Sequence, residues 1–434
     1  MKFIKNILSH ELISGSFYIF VGAMFANVLA FLLNLFLARN LTYADYGIFA
    51  SLLSIITLAM IAGSSMNTII VRFSAGYYSK NETDKLKSFY KKSAKFVLTF
   101  SFFVLLFFIL ASPFLSNFLH LNNYFYLVLV GMCVFVFYMQ TLNLAFLQGL
   151  MRFGSISIIN SVSAIIKLAV GIFFVFLGMK AFSGLWSIFF MGLGAFFVGF
   201  IPLRRILSQK TENEVSLPTK EILTYALPAF VTVLFLTSFT SMDVIMVKHY
   251  FSPHLAGFYA GLSLIGKVIF YFTAPIPMVM FPLLIKRHNK GEKFHNLFYL
   301  SLILVLLPSI AITAFYFLFP RFVINLFLGG RDYLAIVPYL GFFAIYLSIF
   351  SLMNICVSFF LSFNKTKISF LVVTAAILQI ILISLFHSNF YQVIGISLSL
   401  SLVLLVALLL YYFKLFGNLK NIKNSLTFSG TPAV

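Results

Sequence analysis

Acidic residues, cysteine and tryptophan are scarce in this sequence of 434 residues. Only 10 residues are aspartate or glutamate, and charged residues of both signs make up 9% of the chain, whereas strongly apolar and aromatic residues make up 62%. The mean hydropathy is +1.05. No water-soluble fold of this length could bury so much apolar surface, so the composition indicates an integral membrane protein.

The missing motifs exclude several functional classes. Both cysteines, Cys133 and Cys356, lie inside apolar runs, which excludes a disulfide scaffold and a thiolate metal site. The sequence contains no Walker loop, no paired catalytic carboxylates and no His or Cys cluster at ligand spacing. We therefore expect neither an enzyme nor a nucleotide-driven pump, and no cofactor or metal. A cleavable signal peptide is also not expected, because the basic amino end runs directly into a full-length span.

Long apolar runs predict twelve membrane-spanning helices, since about 20 apolar residues are needed to cross a bilayer. The predicted spans are residues 12–37, 46–71, 94–115, 124–149, 155–177, 182–203, 221–247, 255–284, 297–319, 334–361, 368–386 and 393–413. An even number of spans places both termini on the same side of the membrane.

Lysine and arginine predict which side that is. Of the 30 basic residues, 23 fall at the ends of the chain and in the loops on the same side as the amino terminus, five fall in loops on the opposite side, and two lie within spans. Cytoplasmic loops are enriched in basic residues, so both termini are predicted to be cytoplasmic. The dispersed basic residues, with a net charge of +20, indicate topology and attraction to anionic lipid, and they argue against nucleic-acid binding.

The loops divide the chain into two parts. Residues 204–220 form the longest polar stretch and are predicted to be a cytoplasmic linker between a lobe of residues 1–203 and a lobe of residues 221–413, with a cytoplasmic tail at residues 414–434. The charged segments 72–93 and 285–296 are expected to form short amphipathic helices on the membrane surface.

A 19-residue stretch occurs twice, at residues 37–55 and 247–265, with an offset of 210 and no gap. The copies share a turn glycine (Gly47 and Gly257) and a hydroxyl residue before it (Thr42 and Ser252). Convergence of two membrane hairpins on the same turn is one explanation. A duplicated unit of six helices, with the substrate between the copies, is the other.

Two lysines lie near the middle of predicted spans, Lys167 in the fifth and Lys267 in the eighth. An ammonium group at this depth costs free energy unless it faces a cavity or a partner. Each lysine is therefore either a structural residue that pairs with a carboxylate or snorkels, or part of a cationic site for an anionic substrate.

Asp243 is the only carboxylate well inside a span, the seventh. It has two candidate roles: it pairs with a lysine of the cavity, or it binds the proton or sodium ion that drives transport.

Further polar residues occur on the first and seventh spans. Four of them have candidate roles either in hydrogen bonds between helices or in lining a central cavity: Asn27, Asn34, Thr237 and Ser241. Arg39 and Lys248 stand at the outer ends of the same two spans, where they could contact substrate or anchor lipid headgroups.

Three prolines fall in the eighth span, at positions 275, 277 and 282. Each removes a backbone donor and bends the helix. Pro275, Pro277 and Pro282 therefore predict a hinge that alternating access could use.

Three motifs together with the 6+6 plan resemble a known family. LARNLTYADYGIFASL follows the first span, QGLMRF closes the fourth, and PIPMVMFPLL lies in the eighth. The pattern is similar to that of polysaccharide-biosynthesis flippases, the O-antigen and capsule repeat-unit translocases of the multidrug/oligosaccharidyl-lipid/polysaccharide (MOP) exporter superfamily.

The resemblance implies an all-α, MATE-like fold of two six-helix lobes related by pseudo-twofold symmetry about a cationic central cavity. It implies a bacterial inner-membrane flippase that moves an undecaprenyl-diphosphate-linked oligosaccharide to the outer leaflet, with membrane lipids, a polysaccharide polymerase and chain-length machinery as partners. Twelve spans disfavour the fourteen-span lipid II flippases of the superfamily. The rival of similar fold is a cation-coupled multidrug exporter, for which carboxylates in the cavity would be expected. A glycan polymerase or ligase is disfavoured because the longest outer loop, residues 320–332, is short.

Overall fold

The computed structural model describes residues 11–80, 82–207, 219–289, 294–363, 365 and 367–416, and all regular structure in these ranges is helical. The α-helices are α1 (Glu11–Asn40), α2 (Tyr43–Ser79), α3 (Thr83–Phe118), α4 (Phe125–Gly149), α5 (Phe153–Phe176), α6 (Phe182–Leu207), α7 (Thr219–Tyr250), α8 (Pro253–Thr273), α9 (Pro275–Asn289), α10 (His295–Leu318), α11 (Pro320–Leu328), α12 (Val337–Ser362), α13 (Ile368–Leu385) and α14 (Phe390–Phe416). One 3₁₀ helix, Arg331–Ile336, precedes α12.

These helices confirm the predicted all-α fold with twelve spans. In the described part of the chain, 11 helical segments are long and apolar enough to cross a membrane, and α8 and α9 together form one of them. Helix α1 supplies the remaining span with 30 residues, of which Met24–Asn40 form a further apolar stretch. Every predicted span coincides with a helix because backbone groups in hydrocarbon must be paired within the segment.

The predicted surface helix at residues 72–93 is wrong. Helix α2 continues to Ser79 and α3 begins at Thr83, so these residues extend the two spans beyond their apolar parts. Extending an existing helix adds a hydrogen bond per residue without the cost of a new nucleus. In the second segment α9 continues to Asn289, and residues 290–293 lie outside the described residues. The same holds for residues 1–10 of the basic amino end, 208–218 of the predicted linker and 417–434 of the tail.

Capping explains the shared hydroxyl of the repeat. The Thr42 Oγ1 atom accepts a hydrogen bond from the backbone N–H of Asp45 at 3.1 Å, at the start of α2. Ser252 Oγ accepts one from the N–H of Leu255 at 3.4 Å, at the start of α8. A hydroxyl residue at this position satisfies one of the unpaired donors of a helix amino terminus. The helix that starts within each copy of the repeat, α2 in the first and α8 in the second, is thus capped in the same way.

The first compact unit contains Met1–Gly261 and Asn325–Tyr333. Within it α5 packs against α1 and α6, α4 packs against α2, α3 and α6, and α2 packs against α7. In the apolar centre of α4, 61% of the residues are buried within the protein, compared with 17% in α3. Helix α4 is therefore central in this unit, and α3 presents most of its surface to the surroundings.

The second compact unit contains Leu262–Ile324 and Leu334–Val434. Its central helix is α12, which packs against α9, α10 and α14 and has 67% of its apolar centre buried. The Tyr316 hydroxyl of α10 donates to the carbonyl of Ile265 in α8 at 3.0 Å. The compact units divide at Gly261, within α8, so the six-helix lobes of residues 1–203 and 221–413 stay a prediction from the repeat.

Candidate functional site

Lys167 lies in the middle of α5, beside α1. Gly22 of α1 packs against Ser157, and Gly171 of α5 packs against Leu33, with no room for a side chain at either glycine. The later contact in α1 is also the later contact in α5, so the two helices run parallel. At 1.5 Å per residue, Lys167 lies about two thirds of the way from the first contact to the second. It is therefore level with the stretch of α1 between Asn27 and Asn34.

The ammonium of Lys167 has no partner among the described residues. The side chain is half-buried, and no hydrogen bond or ion pair reaches it from the described residues. A cation at this depth is costly in hydrocarbon unless a counter-ion or water accompanies it. A role for Lys167 in binding phosphate or carboxylate therefore stays a prediction.

The polar side chains of α1 differ from one another in their contacts. Asn27 is exposed, and Asn34 is half-buried and donates from Nδ2 to the carbonyl of Ala30 at 2.8 Å. One sequence hypothesis was that Asn34 forms a hydrogen bond with another helix. The observed bond lies within α1 instead.

The polar residues of α7 follow the same pattern. Thr237 donates from Oγ1 to the carbonyl of Val233 at 2.8 Å, again within its own helix, and Ser241 is buried. A threonine hydroxyl bonded to the preceding turn needs no partner on another helix. Neither bond prevents the Asn34 amide or the Thr237 hydroxyl from accepting a further hydrogen bond from a substrate.

Asp243 is held by hydrogen bonds that the sequence does not reveal. Its side chain is fully buried; Oδ1 accepts from the N–H of Val244 at 2.8 Å, and Oδ2 accepts from the hydroxyl of Tyr259 at 2.9 Å. Tyr259 is also fully buried and occupies the repeat position of Phe49. In the sequence, the only indication of this hydrogen bond was that the second copy of the repeat has a tyrosine where the first copy has a phenylalanine.

Arg39 and Lys248 have different surroundings although both stand in the last turns of their helices. Lys248 is only 2% exposed, in the last turn of α7, where a cation interacts favourably with the helix dipole. Arg39 is exposed and donates from Nε to the carbonyl of Phe327 at 3.0 Å and from Nη2 to that of Leu326. Its guanidinium thus satisfies two carbonyls at the end of α11 that have no partner within that helix.

The second unit contains Lys267 and the three prolines. Lys267 is half-buried in α8, and the helix breaks six residues later, between Thr273 and Pro275. Pro275 has no N–H, and its ring would clash with the carbonyl of the preceding turn of a continuous helix. The structure therefore contains the predicted break in the eighth span. Pro277 lies in α9, and the side chain of Pro282 lies outside the described residues. Motion about the break stays a prediction.

A cavity of about 390 Å³ lies beside this break in the second unit. Its lining residues come from α8, α9, the single residue between them and α12, and are Phe270, Ala274, Pro277, Phe281, Asn354 and Ser358. Lys267 precedes Phe270 by three residues and thus lies on the same face, one helical turn away. Asn354 and Ser358 were not expected from the sequence, because a single polar residue in an apolar helix does not reveal which neighbour it faces.

The candidate residues thus fall in both compact units. Those of the first unit are Asn27, Asn34, Arg39, Lys167, Thr237, Ser241, Asp243 and Lys248. Lys267 and the prolines of the break belong to the second. Tyr259, Asn354 and Ser358 join the candidate set from the structure alone.

The chain matches one protein family and several solved structures. Residues 12–288 match the model of the family described as polysaccharide biosynthesis protein, a match that includes all three sequence motifs given above. Among curated proteins, none matches this sequence significantly.

Similar solved structures share the fold at low sequence identity. One is the lipid II flippase MurJ in an inward closed conformation, with 16% identity, a TM-score of 0.67, and coverage of 92% of this chain and 87% of that one. A multidrug resistance MATE transporter of the MOP superfamily, in an inward-facing conformation, has 13% identity, a TM-score of 0.66, and coverage of 93% and 96%. The MATE multidrug transporter DinF-BH, solved as a complex, has 17% identity, a TM-score of 0.64, and coverage of 94% and 96%.

The predicted MATE-like fold is therefore confirmed. With its helices, its motifs and the family match over most of its length, this multi-pass membrane chain belongs to the polysaccharide biosynthesis protein family.

Proposed function

We propose that this protein is a flippase that moves an undecaprenyl-diphosphate-linked oligosaccharide repeat unit from the cytoplasmic to the outer leaflet by alternating access. The observation that carries the proposal is that each compact unit holds one half-buried lysine in the middle of a spanning helix, Lys167 in the first and Lys267 in the second.

The physical argument concerns the diphosphate. A single charged side chain at the bilayer centre costs about 2.5–3.5 kcal/mol on insertion scales, and a diphosphate carries more than one charge. Two ammonium groups at that depth offset this cost electrostatically, most strongly where water is excluded. The lipid tail needs no such help because it can remain in the bilayer.

The comparisons support the same class of substrate. The family is described by polysaccharide biosynthesis, and one structure of similar fold is named a lipid II flippase. In this proposal Asn27, Asn34, Thr237 and Ser241 line the path of the glycan, and Arg39 and Lys248 stand at its outer end. Membrane lipids, a polymerase and chain-length machinery are the proposed partners, and the proposed location is the bacterial inner membrane with both termini cytoplasmic. No covalent step is proposed.

Asp243 retains two candidate roles. Its hydrogen bonds with Tyr259 and Val244 fit a structural carboxylate, and pairing with a lysine of the cavity would extend that role. Its complete burial also fits a group that exchanges a proton or sodium ion during the cycle.

The buried carboxylate also favours a second candidate function, a cation-coupled multidrug exporter. Structures of similar fold include multidrug transporters, and a buried Asp243 could neutralise a cationic drug or bind the coupling ion. Two mid-span lysines oppose this candidate because they repel a cationic substrate.

Gene deletion followed by lipid analysis distinguishes the two functions. We expect the deletion strain to accumulate an undecaprenyl-linked oligosaccharide on the cytoplasmic face, and the wild-type gene to reverse this. Unchanged lipid-linked glycans with altered tolerance to cationic drugs would contradict the flippase and support the exporter.

A further inference from the structure

We propose that the cavity beside the helix break binds the pyranose ring attached directly to the lipid diphosphate, and that Asn354 and Ser358 recognise its hydroxyl groups. This inference rests on the proposed flippase function and assigns one part of the substrate to one place in the second unit.

The two polar side chains are poised for a ligand. Asn354 and Ser358 are four residues apart on α12, so they lie on one face about 6 Å apart along the axis. Neither makes a hydrogen bond with any other described residue. Ser351 and Ser362 of the same helix behave differently, since they donate to the carbonyls of Leu347 and Phe359 at 2.9 and 2.7 Å.

The lining of the cavity selects a neutral polar molecule. No charged side chain is among the lining residues of this cavity, so neither a cationic drug nor a free anion finds a counter-ion in it. An acyl chain would leave the half-buried amide of Asn354 and hydroxyl of Ser358 without partners, which costs free energy. A sugar fits both requirements, because its hydroxyls pair with an amide and a hydroxyl and its C–H faces pack against Phe270 and Phe281.

The size and position of the cavity indicate which sugar of the chain it holds. A volume of about 390 Å³ is at the small end of ligand pockets, enough for one or two sugar rings and too small for a whole repeat unit. Lys267 lies one helical turn from Phe270 on the same face of α8. A diphosphate at Lys267 would therefore place the first sugar at the cavity.

The test compares lipids with and without a sugar. Purified full-length protein in lipid nanodiscs is titrated with undecaprenyl diphosphate and with the same lipid carrying one glucose, galactose or N-acetylglucosamine, and binding is measured by native mass spectrometry. We expect at least one sugar-bearing lipid to bind about tenfold more tightly than the bare lipid, since two net hydrogen bonds have that effect.

Variants then locate the preference. The double variant Asn354→Leu with Ser358→Ala should bind all the lipids equally while keeping wild-type affinity for the bare diphosphate, which also shows that it is folded. Ser362→Ala, outside the cavity on the same helix, should keep the preference. Equal binding by the wild type, or an undiminished preference in the double variant, would overturn the inference and leave the flippase proposal intact. Failure of the wild type to bind any of these lipids would contradict both.

Discussion

Gly47 and Gly257, which occupy the same position in the two copies of the internal repeat, pack against each other backbone to backbone. A Cβ atom on Gly47 would lie 2.8 Å from the Gly257 nitrogen and 3.0 Å from the carbonyl carbon of Ala256, and one on Gly257 would overlap the carbonyl of Tyr43. Small residues allow two helices to approach this closely in a membrane. The shared glycine of the repeat is therefore explained by a contact between its two copies.

An aromatic cluster surrounds this glycine contact. The ring of Tyr43 meets those of His254, Phe258 and Tyr333 edge to face, with centroid distances of 4.9, 5.1 and 4.8 Å. Such aromatic pairs contribute to stability beyond the area that they bury, so the surroundings of the glycine contact are well packed.

Replacement of Gly47 by alanine should destabilise the contact between Gly47 and Gly257. Alanine normally favours a helix over glycine by about 1 kcal/mol, but overpacking against backbone costs about 1–3 kcal/mol and should exceed that gain. We expect a lower melting temperature for Gly47→Ala in detergent. Gly76→Ala in the same helix, where nothing lies within 4 Å of the new Cβ, is the control and should be neutral or stabilising. Equal melting temperatures for the two variants would contradict the close contact.

Removal of the charge at Lys167 should impair transport without unfolding the protein. Lys167→Met keeps an unbranched side chain of similar length and deletes the ammonium that we propose binds the diphosphate, so we expect at least a tenfold loss of flipping in proteoliposomes. Lys167→Arg should retain most of the activity because it keeps the charge. The exposed lysine Lys91 of α3 provides the matched control in Lys91→Met. Full activity of both Lys167→Met and Lys267→Met would remove these lysines from the mechanism.

Tyr259→Phe should lower stability because it removes the hydroxyl that donates to Asp243. A hydrogen bond to a charged group contributes about 1.5–3 kcal/mol, and the buried carboxylate would lose one of its partners. The melting temperature should fall, whereas Tyr271→Phe, at a side chain 53% exposed, should leave it unchanged. A melting temperature of Tyr259→Phe equal to that of the wild type would show that this bond is dispensable.

Asp243→Asn separates the two roles of the carboxylate. Normal folding with loss of the dependence of transport on a proton or sodium gradient would support ion coupling. Misfolding, or normal gradient dependence with lower stability, would support the structural role. The hydrogen bonds of Asp243 lead us to expect the loss of stability.

Arg39→Ala should loosen the end of α11. The guanidinium bonds two carbonyls there, and the following turn, Gly329 and Gly330, is held in a left-handed conformation with φ of 79° and 69°. We expect faster amide hydrogen exchange across residues 325–333, and only partial rescue by Arg39→Lys, since lysine lacks the planar fork. Unchanged exchange in Arg39→Ala would favour the alternative that Arg39 anchors a lipid headgroup.

Several features of the site could be anticipated from sequence because they follow from local chemistry. The break in the eighth span lies at Pro275 for a reason that acts within one turn of helix. The caps at Thr42 and Ser252 are likewise local. The partners of Asp243 and the direction faced by Asn354 could not be anticipated, since they depend on how helices distant in sequence are rotated against each other.

By itself, the sequence determined the twelve membrane spans, their order and the family. The physical reason is that hydrocarbon offers no hydrogen bonds, so any apolar run of sufficient length must form a helix whatever its neighbours are. The tertiary structure alone decided that Gly47 meets Gly257, that Tyr259 serves Asp243, that a compact unit ends at Gly261, and that Asn354 and Ser358 face a cavity. These relationships arise from side-chain packing between helices. Hydropathy is similar around most of each helix and therefore does not specify which faces pack together.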